Sequence, residues 1–333
     1  MTLLPNSSEN RNLHLKLYIA IYGLLLLGVH VFVHQIPQLV QWVIFAGTML
    51  FTGIPHGAID HLVEEQNQAK HNKRFSLLSF LAQYLSRMLL YGLLWWFFPL
   101  LALLVFIGIS AYHFGETDLV VLPKHTKSEK LLFFGYGWLL ISVLLISHLG
   151  EVLPILQSLP RFSGSTLEAA IAQINLNLTI YYAFCGFLFV VSLFYYCWQS
   201  KVAFRPIAAV LFQGALLLYI CIKLPLLLAF SFYFGLWHSL LCLQSIRQHL
   251  TQNGQLLAWN QLVKKAVLFS IIAILGIVAL IVVGNRYSQT EDLLLGLFIG
   301  IAILTAPHME VMSTMFSEIR AGQAKANGGK LAV

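Results

Sequence analysis

Charge is scarce in this chain: only 10% of its 333 residues are Asp, Glu, Lys or Arg, whereas 59% are hydrophobic. A soluble domain needs a polar surface over its core, so that scarcity argues against any soluble domain here. The basic, soluble module that nucleic-acid binding requires is absent, and no nucleic-acid partner is expected. Cysteine is scarce too. Cys185, Cys197, Cys221 and Cys242 lie within or at the margins of apolar segments and form no C-x-x-C pair, which argues against a disulfide framework. There is no low-complexity tract, and no internal repeat beyond alternating apolar segments. No small-residue cleavage site follows the apolar stretch that begins near Leu17, so the N-terminus reads as a retained first span rather than a signal peptide.

What the chain does have is apolar runs of the length a helix needs to cross hydrocarbon, about twenty residues each. The fold class expected is all-α, a polytopic integral membrane helix bundle forming a single transmembrane domain over residues 1–333. Hydropathy places about ten spans: 17–34, 38–63, 75–97, 99–122, 131–149, 178–198, 204–222, 225–247, 265–284 and 293–317. Residues 150–176, with Pro154, Pro160 and Gly164, read as an external loop with room for a short interfacial helix. Ten spans put both termini on one side, and basic residues choose it. Arg11, Lys16, Lys70, Lys73, Arg74, Lys124, Lys127, Lys130, Lys201, Arg205, Arg247, Lys264, Lys265, Arg320, Lys325 and Lys330 flank one set of loops and the termini. The alternate loops hold Arg161, Lys223 and Arg286, so the positive-inside rule puts both termini in the cytoplasm of a cell (inner) membrane. The net charge of +7 follows from this asymmetry.

Four histidines then stand out by depth. His56, His113, His238 and His308 lie in the second, fourth, eighth and tenth spans, eight, eleven, nine and ten residues from Glu64, Lys124, Arg247 and Glu318. At about 1.5 Å of rise per residue each sits roughly 12 to 16 Å from the cytoplasmic boundary, near the middle of a core about 30 Å thick. A lone histidine in an apolar helix is ordinarily a packed core residue. Four at one height, beside acids, point instead to a metal or catalytic cluster.

Asp60 stands four residues after His56, on the same face of an uninterrupted helix, where its carboxylate is expected to take the second ring N–H of that histidine. Glu116 and Asp118 follow His113 and are assigned the same supporting role, and Glu310 stands near His308. Proline precedes His56 and His308, which can bend each helix toward a common centre. His61 points away from the His56 face. His14, His30, His34, His71, His125, His148 and His249 lie near span ends or in loops, where interfacial solvation accounts for them. Arg87, inside the third span, is expected to pair with Asp118 or Glu116.

Neutral imidazoles suit Fe, Zn, Cu or Ni, and affinity alone does not choose among them. Aromatic residues crowd the histidine-bearing segments: Tyr112, Phe114, Phe230, Phe232, Tyr233, Phe234 and Trp237. A greasy, aromatic-walled metal site implies a lipophilic substrate, with Tyr112, Phe114, Phe234 and Trp237 as the expected pocket. An oxygen-activating iron acting on an isoprenoid or lipid is the reaction class that fits. A transporter, or a haem-carrying electron-transfer subunit, is the alternative from another class. Membrane lipid hydroxylases carry H-x-x-H-H boxes, and the sequence has none.

At Gly53-Ile-Pro-His-Gly-Ala-Ile-Asp60, His113-Phe-Gly with Asp118, Trp237-His238-Ser239 and Thr305-Ala-Pro-His-Met309, the chain resembles the Brp/Blh family of membrane beta-carotene 15,15'-dioxygenases. The pieces occur in the family's order across nearly the whole length. The resemblance implies Fe(2+) held by histidines, and O2-dependent cleavage of the central double bond of beta-carotene into two all-trans-retinal molecules, commonly to supply a rhodopsin. It assigns His56, His113 and His238 as iron ligands and catalytic centre. Where the family often has a further histidine, four residues after His238, this chain has Cys242. Water, His308, Cys242 or His61 is then left to complete the iron's coordination, and His308 is favoured.

Overall fold

The computed structural model describes residues 7–120, 122, 127–157, 177–251, 256–287 and 293–328. Among these every regular element is helical. Ten helices are long and apolar enough to cross a membrane: Asn12–Phe32, Gln38–Lys70, Leu77–Phe97, Pro99–Asp118, Lys127–Ser147, Leu178–Ser200, Phe204–Lys223, Leu226–His249, Trp259–Val283 and Leu295–Gly322. They are called the first to tenth spans. In hydrocarbon every backbone N–H and C=O must be satisfied within its own segment, which is why such runs become helices. A short helix, Leu149–Gln157, follows the fifth span. Residues 158–176 of the expected external loop, and His125, lie outside the described residues.

The eighth span is the axis of the assembly, with 72% of its apolar stretch buried against 6% for the third and 17% for the ninth. The fourth and fifth spans cross with their backbones nearly touching. A Cβ on Gly115 would collide with the Phe133 carbonyl, and one on Gly137 with the Ala111 carbonyl. Small residues permit that approach, which replaces the hydrophobic driving force missing between helices in lipid.

Two spans depart from the uninterrupted α-helix that their hydropathy implies. The second widens into a π turn at Met49–Gly53, continues as Ile54–Gly57, breaks at Ala58 and Ile59, and resumes at Asp60–Lys70. The eighth opens as Leu226–Phe230, becomes π-helical over Ser231–His238 and closes as Ser239–His249. An i→i+5 turn inserts one residue, rotating the rest of the helix by about 100° relative to a continuous α-helix. The two widened stretches pack together: Thr52 Oγ1 lies 2.5 Å from the Gly235 carbonyl and 2.6 Å from that of Thr48. A Cβ on Gly235 would press into the Thr48 side chain, so glycine is needed at this crossing.

Candidate metal centre

The π turns end at or near two of the four histidines. One finishes three residues before His56 and the other at His238 itself, while His113 and His308 come from the fourth and tenth spans. All four imidazoles are buried, between 1% and 5% exposed. They form a closed circuit. Ring centroids are 4.7 Å apart from His56 to His308, 5.3 Å from His308 to His113, 4.8 Å from His113 to His238 and 5.4 Å from His238 to His56. Neighbouring rings stand nearly perpendicular, at 78° to 89°.

Three of the four rings have one nitrogen occupied by the chain. His56 Nδ1 meets the carbonyl of Gly53, the last residue of the π turn. His308 Nδ1 lies 2.9 Å and 3.0 Å from the two oxygens of Asp60, and Tyr84 donates its hydroxyl to the same carboxylate at 2.9 Å. His238 Nε2 stands 3.6 Å from Cys242 Sγ. Four of the five remaining nitrogens are buried without a hydrogen bond: His308 Nε2, His238 Nδ1 and both nitrogens of His113. A buried polar atom left unsatisfied costs roughly 1 to 3 kcal/mol, so four in one cluster need a shared partner. A metal ion accepting imidazole lone pairs is such a partner, and a protein acceptor on the opposite nitrogen is how ligating histidines are held. The residues fit a metal. Among the described residues, the donor atoms that all lie within 4.8 Å of one another are those of His56, His238 and Cys242; His113 and His308 join them by ring contact, at centroid distances of 4.7 to 5.3 Å.

Several expectations are corrected. Asp60 supports His308 and not His56, because the break at Ala58 and Ile59 separates Asp60 from the helical turn that carries His56. Glu116 turns away from the histidines to Arg320, 2.6 Å off, and the same guanidinium reaches Glu129 at 3.3 Å. Asp118 accepts from Trp237 Nε1 at 3.1 Å and from the Tyr233 hydroxyl at 3.3 Å. Both acids fasten helices together. Arg87 pairs with Glu310 at 2.9 Å rather than with either. His148 and His249 are not solvated but buried, the first bound to the Leu144 and Leu224 carbonyls and the second to Asn67. His30 and His34 have H-x-x-x-H spacing but sit at the end of the first span, where His30 Nδ1 accepts the Ile36 N–H. His61 packs its ring on Phe269 at 4.5 Å.

A cavity of about 510 Å³ opens from the four histidines between the second, third, ninth and tenth spans. That volume suits a medium-sized organic molecule. Phe114 and Phe234 line it; Tyr112 and Trp237 do not. Tyr112 packs instead on Phe133, and Trp237 is spent on Asp118. Tyr84 carried no signal in the sequence, because its partner Asp60 is 24 residues away on another span.

Residues 47–316 match the family described as "Beta-carotene 15,15'-dioxygenase", a stretch that contains all four histidines. The chain belongs to that family. As a beta-carotene 15,15'-dioxygenase family member it is an enzyme of the oxidoreductase class. It is 27% identical over 293 residues to a protein named beta-carotene 15,15'-dioxygenase from an uncultured marine bacterium, 66A03, covering 84% of this chain and 95% of the relative. No solved structure matches.

Proposed function

We propose that this chain cleaves the central 15,15' double bond of beta-carotene with O2 at a non-haem Fe(II) held by His56, His113, His238 and His308. One C40 hydrocarbon and one O2 give two molecules of all-trans-retinal, so no other oxidant or reductant is needed. The observation that carries this reading is the closed imidazole circuit, with its unpartnered nitrogens, at the end of an apolar cavity. Bound ferrous iron would supply the one-electron chemistry that lets O2 react with a closed-shell polyene.

The protein's own part is placement. The Gly53 carbonyl, Asp60 and Cys242 each engage one nitrogen of one ring and leave the other nitrogen free for an ion. Cys242, where relatives often carry histidine, acts here through His238. Phe114 and Phe234 flank His238 at centroid distances of 4.6 Å and 5.8 Å, so the polyene meets flat aromatic walls and no bulk water. Their faces favour cationic character developing on the polyene. The basic loops support a cell (inner) membrane location, with both termini cytoplasmic and residues 1–333 acting as one transmembrane unit. Retinal released into the membrane lipid is chemically suited to a rhodopsin as acceptor.

Expression in cells that accumulate beta-carotene tests the reading: pigment is bleached and retinal appears in the extract. Persistent beta-carotene beside iron-loaded protein would remove it. A finer prediction concerns Asp60. Asp60→Ala lowers iron affinity or turnover by about 10- to 100-fold, the usual cost of losing a partner of a ligating histidine. Tyr84→Phe, which removes one hydrogen bond worth roughly 0.5 to 1.5 kcal/mol, lowers it only a few-fold. Iron titration of the two purified variants checks the order, and equal losses would contradict it.

A further inference from the structure

The cavity does not stop at the histidines. From them it runs between the third span, at Tyr84 and Leu85, and the ninth, at Ile272 and Gly276, with the tenth span as its floor. The third and ninth spans each pack on the tenth, and they are among the least buried helices of the bundle. At the rim of the cavity Leu85 is 58% exposed and Ile272 53% exposed, so the cleft faces lipid. Gly276 lies on the same wall, and a Cβ added there would meet nothing within 4 Å. Along the floor, by contrast, a Cβ on Gly300 would sit 3.1 Å from Ile277, so the ninth and tenth spans are closed against each other.

We propose that the cleft between the third and ninth spans is the doorway by which the polyene passes sideways from the bilayer to the histidines, and that Gly276 keeps it open. This rests on the reading of the cavity as a carotenoid site. Three observations select a long apolar chain as the occupant. The cleft is continuous with the imidazole circuit, its walls are almost wholly apolar, and it opens on lipid, where such a chain dissolves. Its length fits too. Phe269, packed on His61 beside the circuit, and Leu280 both line it, and eleven residues of helix span about 16 Å. That is roughly half a C40 carotenoid. Phe114 and Phe234 pack on the histidines at the inner end of the same cavity, so a chain lying along the cleft presents an interior bond to the imidazoles.

Gly276→Trp and Ile272→Trp place a large ring in this cleft from positions with open space or outward exposure, and neither removes a histidine. Gly28→Leu is the control, because a Cβ on Gly28 also meets nothing within 4 Å and its span does not line the cavity. Full-length protein is purified without O2 from carotenoid-accumulating cells, and bound beta-carotene, bound phospholipid and iron per chain are measured; O2 is then admitted and retinal counted. Both Trp variants are expected to keep their iron and to lose bound beta-carotene and retinal formation by about tenfold or more, the scale of a 1.4 kcal/mol penalty. Gly28→Leu matches the wild type. Wild-type retinal yield in both Trp variants overturns the doorway while leaving the cleavage reading intact. So does a cleft that holds phospholipid, lost from the Trp variants without effect on cleavage. Carotenoid bound by the wild type and excluded by the Trp variants, with no retinal from either, upholds the doorway and sinks the cleavage reading.

Discussion

His56→Ala and His113→Ala each abolish retinal formation and strip the bound iron, whereas His61→Ala keeps it. The contrast follows from the circuit. His56 and His113 occupy opposite corners, each in ring contact with His238 and His308, so removing either opens the ligand set on two sides. His113 has an added vulnerability, because neither of its nitrogens has a partner in the chain, and its orientation depends on packing and on the ion. His61 lies against Phe269, outside the circuit, and its loss trims a cavity wall without taking a donor. Metal analysis of the purified variants, together with retinal yield, reads both quantities. Full iron and full activity in His113→Ala would remove that residue from the centre.

Gly137→Val, which touches no histidine, is expected to be nearly as damaging. Its side chain must enter the space held by the Ala111 carbonyl, and Gly115 faces the same constraint against Phe133. Overpacking costs typically 1 to 3 kcal/mol even where side chains can yield, and here the obstacle is backbone. The fourth and fifth spans would have to separate. Since Ala111 is two residues from His113, separation moves that imidazole out of the circuit. Lower thermal stability, a smaller monodisperse fraction in detergent and reduced iron are expected together. Gly28→Val, at an open position, leaves all three unchanged. A Gly137→Val protein with wild-type melting and iron would show that the two spans do not need this crossing.

Much of the architecture was legible because hydropathy is a property of single segments. Ten apolar runs in a bilayer can do little else than form helices, since no water is present to satisfy an open backbone. That the four histidines share a level was equally readable, because rise per residue converts a count along one helix into a height, and their rings do meet. Gly115, part of the His113-Phe-Gly motif, was visible as a residue, but its reason, the Phe133 carbonyl against it, lies 18 residues away on the next span.

Pairings between spans were another matter. Counting 3.6 residues per turn pairs Asp60 with His56, but the segment contains a π turn and a break, and Asp60 binds His308 instead, 248 residues distant. Glu116 and Asp118 looked like partners for the histidines because they follow His113 closely, yet Arg320, Trp237 and Tyr233 claim them. Composition and periodicity thus settled the solvent, the helices and the level at which the imidazoles sit, all of which depend on local chain geometry. Which ring each carboxylate steadies, which aromatics wall the cavity and where it opens to lipid came from the packing of helices far apart in the chain. One extra residue in a turn rotates everything beyond it, and no local pattern announces that rotation.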